Sequence, residues 1–327
     1  MEKKLCMYAS LAMYIGTYAQ DDMTRSQASE MYQERVESSQ APSFLDAETS
    51  HRYISQFGFR DIAHFQFDSE KETLITGKRI VDPQEVKAGD IVFARAPGAF
   101  LEKVHPHIKN PYIFISHGDV NDAFKDAYVP YLNDSNIIAW FGIHPTLTVH
   151  PKFFPIPLGV IARTHSQGEK QKGTHKSLSY FRSMKKDKLI YINFVDPHRK
   201  DRQLCRRMFA DKPFCLVGDR KPWLEYMKEM AQCKFTLSPK GIGIDCYRTW
   251  EALLVGSIPV VKSSQLNGLY KDLPIVVIEK WEHLSEAFLN KKYKELTSKR
   301  YTIGKLYMEY WYNEIQTVRE NFLKNYR

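Results

Sequence analysis

Cysteine is scarce. The 327 residues hold five, Cys6, Cys205, Cys215, Cys233 and Cys246, with no CxxC pair and no Cys/His ligand spacing. That pattern indicates neither a disulfide framework nor a zinc site, and the thiols are expected free and buried. Long apolar runs are lacking too: none reaches the ~18 residues that span a bilayer. No internal sequence repeat is visible. What is present is a 43% hydrophobic and 13% aromatic composition, enough to bury a large core and to build two domains.

The net charge of +9 is unevenly placed. Residues 1–162 carry 15 Lys and Arg against 20 Asp and Glu, a net of −5, and residues 163–327 carry 32 against 18, a net of +14. The second half therefore attracts anions, and nucleic acid, an acidic membrane surface or a phosphorylated small molecule would each satisfy that field. At the N-terminus, Lys3 and Lys4 precede an uncharged run to Gln20, with Thr17-Tyr18-Ala19 where a signal peptidase could cut. The run resembles a signal peptide over 1–19, but three tyrosines, Ser10, Gly16 and Thr17 dilute it, and a first strand or helix fits as well. A true signal implies export or the secretory-pathway lumen; without one, a cytoplasmic or membrane-peripheral protein with peripheral membrane contact is expected.

Residues 1–50 form an N-terminal segment, weakly held or helical after the first twenty. From Tyr53 on, apolar runs alternate with helical patterns: a strand at 89–94, a short helix at 99–108, strands at 111–116 and 136–142, and an extended exit at 153–160 whose prolines are given no place in a sheet ladder. This alternation implies an α/β domain with a parallel sheet over 51–162. Residues 163–187, polar and basic, read as a connection with one short helix. A second α/β domain follows over 188–300, with a strand at 188–194, a helix at 201–210, a strand at 213–217 and a helix at 223–232. After the stretch described next come a strand at 274–278 and a helix at 281–296. Residues 301–327 form an amphipathic helix, with Ile303, Leu306, Tyr307, Tyr310, Trp311, Ile315, Val318 and Phe322 as its stripe, expected to pack back on the first domain.

The chain is organised around residues 233–262, CKFTLSPKGIGIDCYRTWEALLVGSIPVVK. The pattern is strand, glycine loop, helix and strand. Asp245 is placed to cap the helix and Gly256 to end it. At about 100° per residue, Cys246, Trp250, Leu253 and Leu254 share a packed face, and Arg248, Glu251 and Val255 lie opposite. Two readings stay open on these residues alone: a solvent-facing ion pair one turn apart, or an anion site beside the helix N-terminus. Elsewhere, His117 and Asp119 follow the 111–116 strand, at the carboxyl edge where open α/β sheets bind ligands. A turn with Asp119 capping the next helix is the plainer alternative. Arg199 and Arg202, after the first strand of the second domain, can add positive charge near a bound phosphate or stand as solvated residues at a helix start.

The 233–261 stretch resembles the donor-site signature of exostosin-type glycosyltransferases, through Phe235, Pro239, Gly241, Arg248, Glu251, Ala252, Gly256 and Ile258-Pro259-Val260. PYIFISHGD, NIIAWFGIHP and FFPIPLGV resemble, more weakly, segments of the acceptor half of that family. The resemblance implies a GT-B-like α/β fold, two Rossmann-like domains facing a central cleft. It implies an enzyme that moves a sugar from a nucleotide-sugar donor to a hydroxyl of a glycan or other acceptor, with inversion. Carried over, it implies that Glu251 accepts from the ribose hydroxyls and Arg248 pairs with the diphosphate. The loop with Pro239, Lys240, Gly241 and Gly243, closed by Asp245, would lie against the nucleotide. An inverting transfer needs a base for the acceptor proton, and His117 and Asp119 are the candidates. No Asp-x-Asp occurs, the motif by which the other main glycosyltransferase architecture holds a divalent cation, so no metal and no cofactor is expected. Arg248→Ala and Glu251→Ala are expected to fold and to lose donor binding.

Two alternatives stand beside this reading. Fucosyltransferases share the strand, loop, Glu-containing helix and G-x-[VI]-P-V-V ending, but the Phe-Glu-Asn and Thr-Glu-Lys elements are absent from the loop here. A noncatalytic binder of polyanions or nucleotide sugars would use the +14 half. No nucleic-acid partner is expected, because the basic residues between Arg163 and Lys221 are scattered rather than interleaved with aromatics.

Overall fold

The computed structural model describes residues 32–33, 52–67, 79–119, 121–146, 150–160, 174–194 and 199–326. The signal-peptide resemblance at 1–19, nearly all of the N-terminal segment and residues 163–173 of the connection lie outside these.

Two parallel sheets carry the chain. The first holds β1 (Phe65–Phe67), β2 (Arg79–Ile80), β3 (Asp90–Ala94), β4 (Tyr112–Ser116), β5 (Ile137–Gly142) and β6 (Phe153–Pro155), in the order β2-β1-β3-β4-β5-β6. The second holds β7 (Lys188–Ile192), β8 (Cys215–Val217), β9 (Cys233–Leu237), β10 (Ile258–Lys262) and β11 (Val276–Ile278), in the order β11-β10-β9-β7-β8. This is the α/β organisation in two sheets that the resemblance implies. Strands buried on both faces read as unbroken apolar runs, and YIFIS of β4 is buried at every position. Its residues nevertheless sort by face. Ile113 and Ile115 join Ile91 and Phe93 in a core shared with Ile190 and Phe235 of the second sheet and with Leu253 of the helix Tyr247–Leu254. Tyr112 and Phe114 join Val92, Phe100 and Trp140 in a separate core on the far face.

Among the described residues, the helices of six residues or more are α1 (Gln56–Asp61), α2 (Pro97–Lys103), α3 (Thr174–Ser183), α4 (Lys200–Phe209), α5 (Trp223–Ala231), α6 (Tyr247–Leu254), α7 (Glu286–Thr297) and α8 (Met308–Asn325). Three departures from expectation have local causes. The helix expected over 99–108 stops at Lys103 and continues only as a 3₁₀ turn, His105–His107, because Pro106 has no N–H to give to an α-helical bond. The extended exit does join the ladder: Pro155 stands opposite Gly142 on the edge strand, where a missing N–H costs least. The last helix begins at Met308, seven residues later than expected, because Tyr301–Thr302 pairs with Tyr32–Gln33 and Gly304–Leu306 turns as 3₁₀.

α8 follows the second sheet in sequence but lies against elements of the first. Met308 fills the space beside Gly58, where an added Cβ would come within 2.5 Å of it. Trp311 packs on Phe59 at 6.0 Å between ring centroids. Further along, Arg319 Nε donates to the Gly89 carbonyl at 2.8 Å.

Candidate functional site

In the second sheet the chain leaves β7 through α4 to β8 on one side, then returns through α5 to β9 on the other. The connections diverge between β7 and β9, and the carboxyl ends of strands at such a point form the ligand crevice of open α/β sheets. Asn193 and Phe194 follow β7. Ser238 and the glycine loop follow β9.

Arg248 comes to this point from α6. It is half-buried, its Nε donates to the Asn193 carbonyl at 3.0 Å, and its guanidinium lies 5.2 Å from the Phe194 ring centroid. Among the described residues its buried Nη1 has no hydrogen-bond partner. Arg202 and Arg206 of α4 approach the same ring, at 6.0 and 5.6 Å. Arg202 Nε donates to the Lys240 carbonyl at 3.2 Å, and Arg206 donates to that of Phe194 at 2.8 Å. Three guanidinium groups therefore share one aromatic ring at the switch point, with Lys240 exposed on the loop beside them. Arg199 is exposed at the start of α4.

Next to this cluster, over the ends of β9 and β10, lies a cleft of about 390 Å3 lined by Asp201, Ser238, Lys240, Lys262, Ser263 and Ser264 among others. Lys262 stands 3.8 Å from Asp201. Lys262, Ser263 and Ser264 were not singled out in the sequence; their signal was position, polar residues at the last position of a buried strand and directly past it.

Glu251 and Asp245 point inward, contrary to expectation. Glu251 is 3% exposed, and its two carboxylate oxygens accept from Trp223 Nε1 and Tyr226 OH, each at 3.0 Å. Val255 is also buried, so of the face expected open only Arg248 keeps access. The helical wheel failed there because α5 covers that face. Asp245 does not cap α6: the N-cap is Cys246, without a side-chain bond. Instead the Asp245 carboxylate accepts from Leu158 N, Cys246 N and Trp250 Nε1, each at 2.8 Å. It thereby ties the first half to the second. Burial pushes its carboxyl up to about 6 against the pull of those donors.

The two base candidates part company. Asp119 Oδ1 accepts from Asn121 N at 2.9 Å and Asp122 N at 3.4 Å, an Asx turn rather than a helix cap, since the next helical turn starts only at Asp126. His117 is 1% exposed, stacked on Phe59, and its Nε2 bonds the Pro157 carbonyl at 3.0 Å. Burial holds its ring down to about 3, with His144 adding to that direction. His144, not marked in the sequence, follows β5 as His117 follows β4. Its Nδ1 accepts from Asp245 N at 3.2 Å. Gly243 makes this contact fit, since a Cβ there would come within 2.3 Å of the His144 ring. Among the described residues no group of three His, Cys, Asp or Glu side chains is arranged to hold a metal ion, and no helix is long and apolar enough to cross a membrane.

Residues 214–326 match the sequence model of the RXYLT1 C-terminal domain. The chain is 25% identical over 252 residues to ribitol-5-phosphate xylosyltransferase 1 of Danio rerio, covering 66% of this chain and 52% of that protein. The Homo sapiens protein of the same name is 24% identical over 242 residues, covering 64% and 48%. The chain thus spans about half the length of these relatives, and its sequence relationship is to glycosyltransferases. Among solved structures, the GtfA/B complex aligns at a TM-score of 0.35 and 10% identity, over 72% of this chain and 59% of that one. The catalytic domain of Arabidopsis thaliana starch synthase IV, bound to ADP and acarbose, aligns at 0.35 and 9% over 74% of each. Likeness at that distance says nothing of substrate or mechanism.

Proposed function

We propose that this chain is a glycosyltransferase of exostosin type that moves a sugar from a nucleotide-sugar donor to an acceptor hydroxyl, with inversion and without a metal. The observation that carries the reading is Arg248, whose guanidinium has a buried nitrogen without a partner among the described residues at the switch point of the second sheet. Arg202 shares the Phe194 ring with it and holds the glycine loop through the Lys240 carbonyl, in a half of net charge +14; Arg199, exposed at the start of the same helix as Arg202, is proposed to add to that charge. Planar guanidinium groups match phosphate oxygens bidentately, so a diphosphate is the ligand this place suits. The relationship to the xylosyltransferases makes a nucleoside diphosphate pentose the first donor to test and a phosphorylated pentitol the first acceptor.

In the transfer, the acceptor oxygen bonds to the anomeric carbon from the face opposite the diphosphate. The carbon–oxygen bond to the diphosphate breaks, its electron pair stays on the departing phosphate, and the cations meet that charge. The hydroxyl proton passes to a base, for which His117 and Asp119 remain the candidates. Glu251 takes the ribose in this reading while holding Trp223 and Tyr226, since a carboxylate offers about four acceptor positions.

Calorimetry with nucleoside diphosphates in EDTA tests the reading. Binding is expected to persist in the chelator. Charge-assisted hydrogen bonds contribute about 1.5–3 kcal/mol, so Arg248→Ala is expected to weaken affinity roughly tenfold to a hundredfold. Equal affinity in the variant, or none in the parent, overturns it.

A further inference from the structure

The cleft over the ends of β9 and β10 stands beside the Arg248 cluster, and its lining is selective. Its volume of about 390 Å3 lies within the range of small-molecule sites, about 300–1,000 Å3. Two cations line it from different elements: Lys240, exposed on the glycine loop after β9, and Lys262, the exposed last residue of β10. Arg202 fixes the first of these positions through the Lys240 carbonyl at 3.2 Å.

Two serines come next. The Ser263 hydroxyl accepts from Asn267 Nδ2 at 3.0 Å and the Ser264 hydroxyl from Leu266 N at 3.2 Å, so each keeps its own hydrogen to donate. Asn267 Oδ1 in turn accepts from Ser264 N at 3.0 Å, and Ser263 N donates to the Ile278 carbonyl of β11 at 2.8 Å. The loop past β10 is thus held by its own bonds, with both hydroxyl hydrogens uncommitted by them. Asp201 is the carboxylate of the lining, 3.8 Å from Lys262. That separation is too long for a hydrogen bond, so neither group is committed to the other. Asp201 and Arg202 are neighbours on α4, yet Arg202 reaches the Phe194 ring with Arg248 while Asp201 lines the cleft.

We propose that this cleft binds the phosphate of a phosphorylated polyol acceptor. Lys240, Lys262 and the Ser263 and Ser264 hydroxyls donate to the phosphate oxygens, and Asp201 accepts from a hydroxyl of the polyol. This rests on the transferase reading and gives its acceptor a place. The chemistry selects the guest. An ammonium would meet two charges of its own sign, and a neutral polyol would leave both unmatched. A carboxylate has two oxygens for four donors; a phosphate monoester has three, with about 1.5–2 negative charges at pH 7. Ile244 and Val261 supply an apolar wall for the carbon chain. The donor's own diphosphate carries the same chemistry, and competition separates the two sources.

Calorimetry on the full chain, with ribitol 5-phosphate, ribitol and a nucleoside diphosphate as probes, tests the assignment. Ribitol 5-phosphate is expected to bind saturably, and its midpoint to shift less than fivefold when the nucleoside diphosphate is already saturating. Ribitol is expected to bind at least tenfold more weakly. Lys262→Met, at an exposed strand end, is expected to raise the ribitol 5-phosphate midpoint at least tenfold and to change that of the nucleoside diphosphate less than threefold. Displacement of ribitol 5-phosphate by the nucleoside diphosphate, or equal weakening of both in the variant, gives the cleft to the donor and overturns the proposal. Equal binding of ribitol, or an unchanged ribitol 5-phosphate midpoint in a folded variant, overturns it as well. If the variant does not fold, competition in the parent still decides. Nucleoside diphosphate binding without a response to ribitol 5-phosphate overturns the role of the cleft and leaves the transferase standing; the converse overturns the transferase reading and leaves the cleft holding a phosphate.

Discussion

Arg248 and Glu251 stand one helical turn apart, yet burial gives them different duties. Removing the Glu251 carboxylate strands two buried donors, Trp223 Nε1 and Tyr226 OH, at about 1–3 kcal/mol each. Glu251→Ala is therefore expected to lose about 2 kcal/mol or more in urea denaturation, so it does not simply fold as the parent does. Arg248→Ala, which removes a half-exposed side chain, is expected to lose less. The buried rings give a pH dependence. Between 6.5 and their lowered values, about 3 for His117 and about 4 for His144, the unfolded chain binds protons that the folded rings refuse. Their contribution is complete above about 6.5 and is lost as pH falls. Asp245, raised to about 6 from 3.8, acts oppositely, since below about 6 the folded carboxyl binds a proton that the unfolded one does not. Two imidazoles outweigh one carboxyl. The melting temperature is expected to fall from pH 7 to pH 5, and to fall more steeply in Asp245→Asn, which removes the opposing group.

At the scale of the element, α6 is fixed at its carboxyl end rather than by a side-chain cap at its start. Gly256, at φ +71°, lets Ser257 N reach the Ala252 carbonyl at 2.9 Å and Gly256 N that of Leu253 at 3.2 Å, a Schellman ending. Lys186 Nζ then donates to the carbonyls of Ala231 and Val255 at 2.6 and 3.0 Å, and Arg182 Nε to that of Leu254 at 3.1 Å. Lys186→Met leaves two buried carbonyls open and is expected to cost about 1–3 kcal/mol in urea denaturation, with little change at high salt because the site is buried. The strand, loop, helix and strand of residues 233–262 were legible because each is a local pattern: β-branched run, glycines, 3.6-residue period, Ile-Pro-Val-Val. The inward turn of Glu251 was not, since Trp223 and Tyr226 are over twenty residues away. Lys186 and Arg182 read as part of a polar connection, because a cation that caps a distant helix looks like any solvated one. His144 had a faint signal, a histidine two residues past a buried strand, near the placement of His117 one residue past its own.

At the scale of the molecule, the halves are joined by Asp245 to Leu158, by His144 to the Asp245 amide, and by α8 on Met308, Trp311 and Arg319. The Ile54 and Leu306 backbones also bond at 3.1 Å. A chain ending at Tyr307 is expected to unfold in two calorimetric steps, the first half at the lower temperature, where the parent shows one. The charge split was legible by counting, but the path of α8 was not: a stripe at helical spacing shows that a face is covered and not by what. That path bears on how the protein is made. Synthesis runs from the first residue onward, so Gly58, Phe59 and Gly89 leave the ribosome more than two hundred residues before Met308, Trp311 and Arg319 that cover them. For that interval the nascent first half shows an apolar patch to the cell, and a chaperone that occupies it must let go before the last helix can seat.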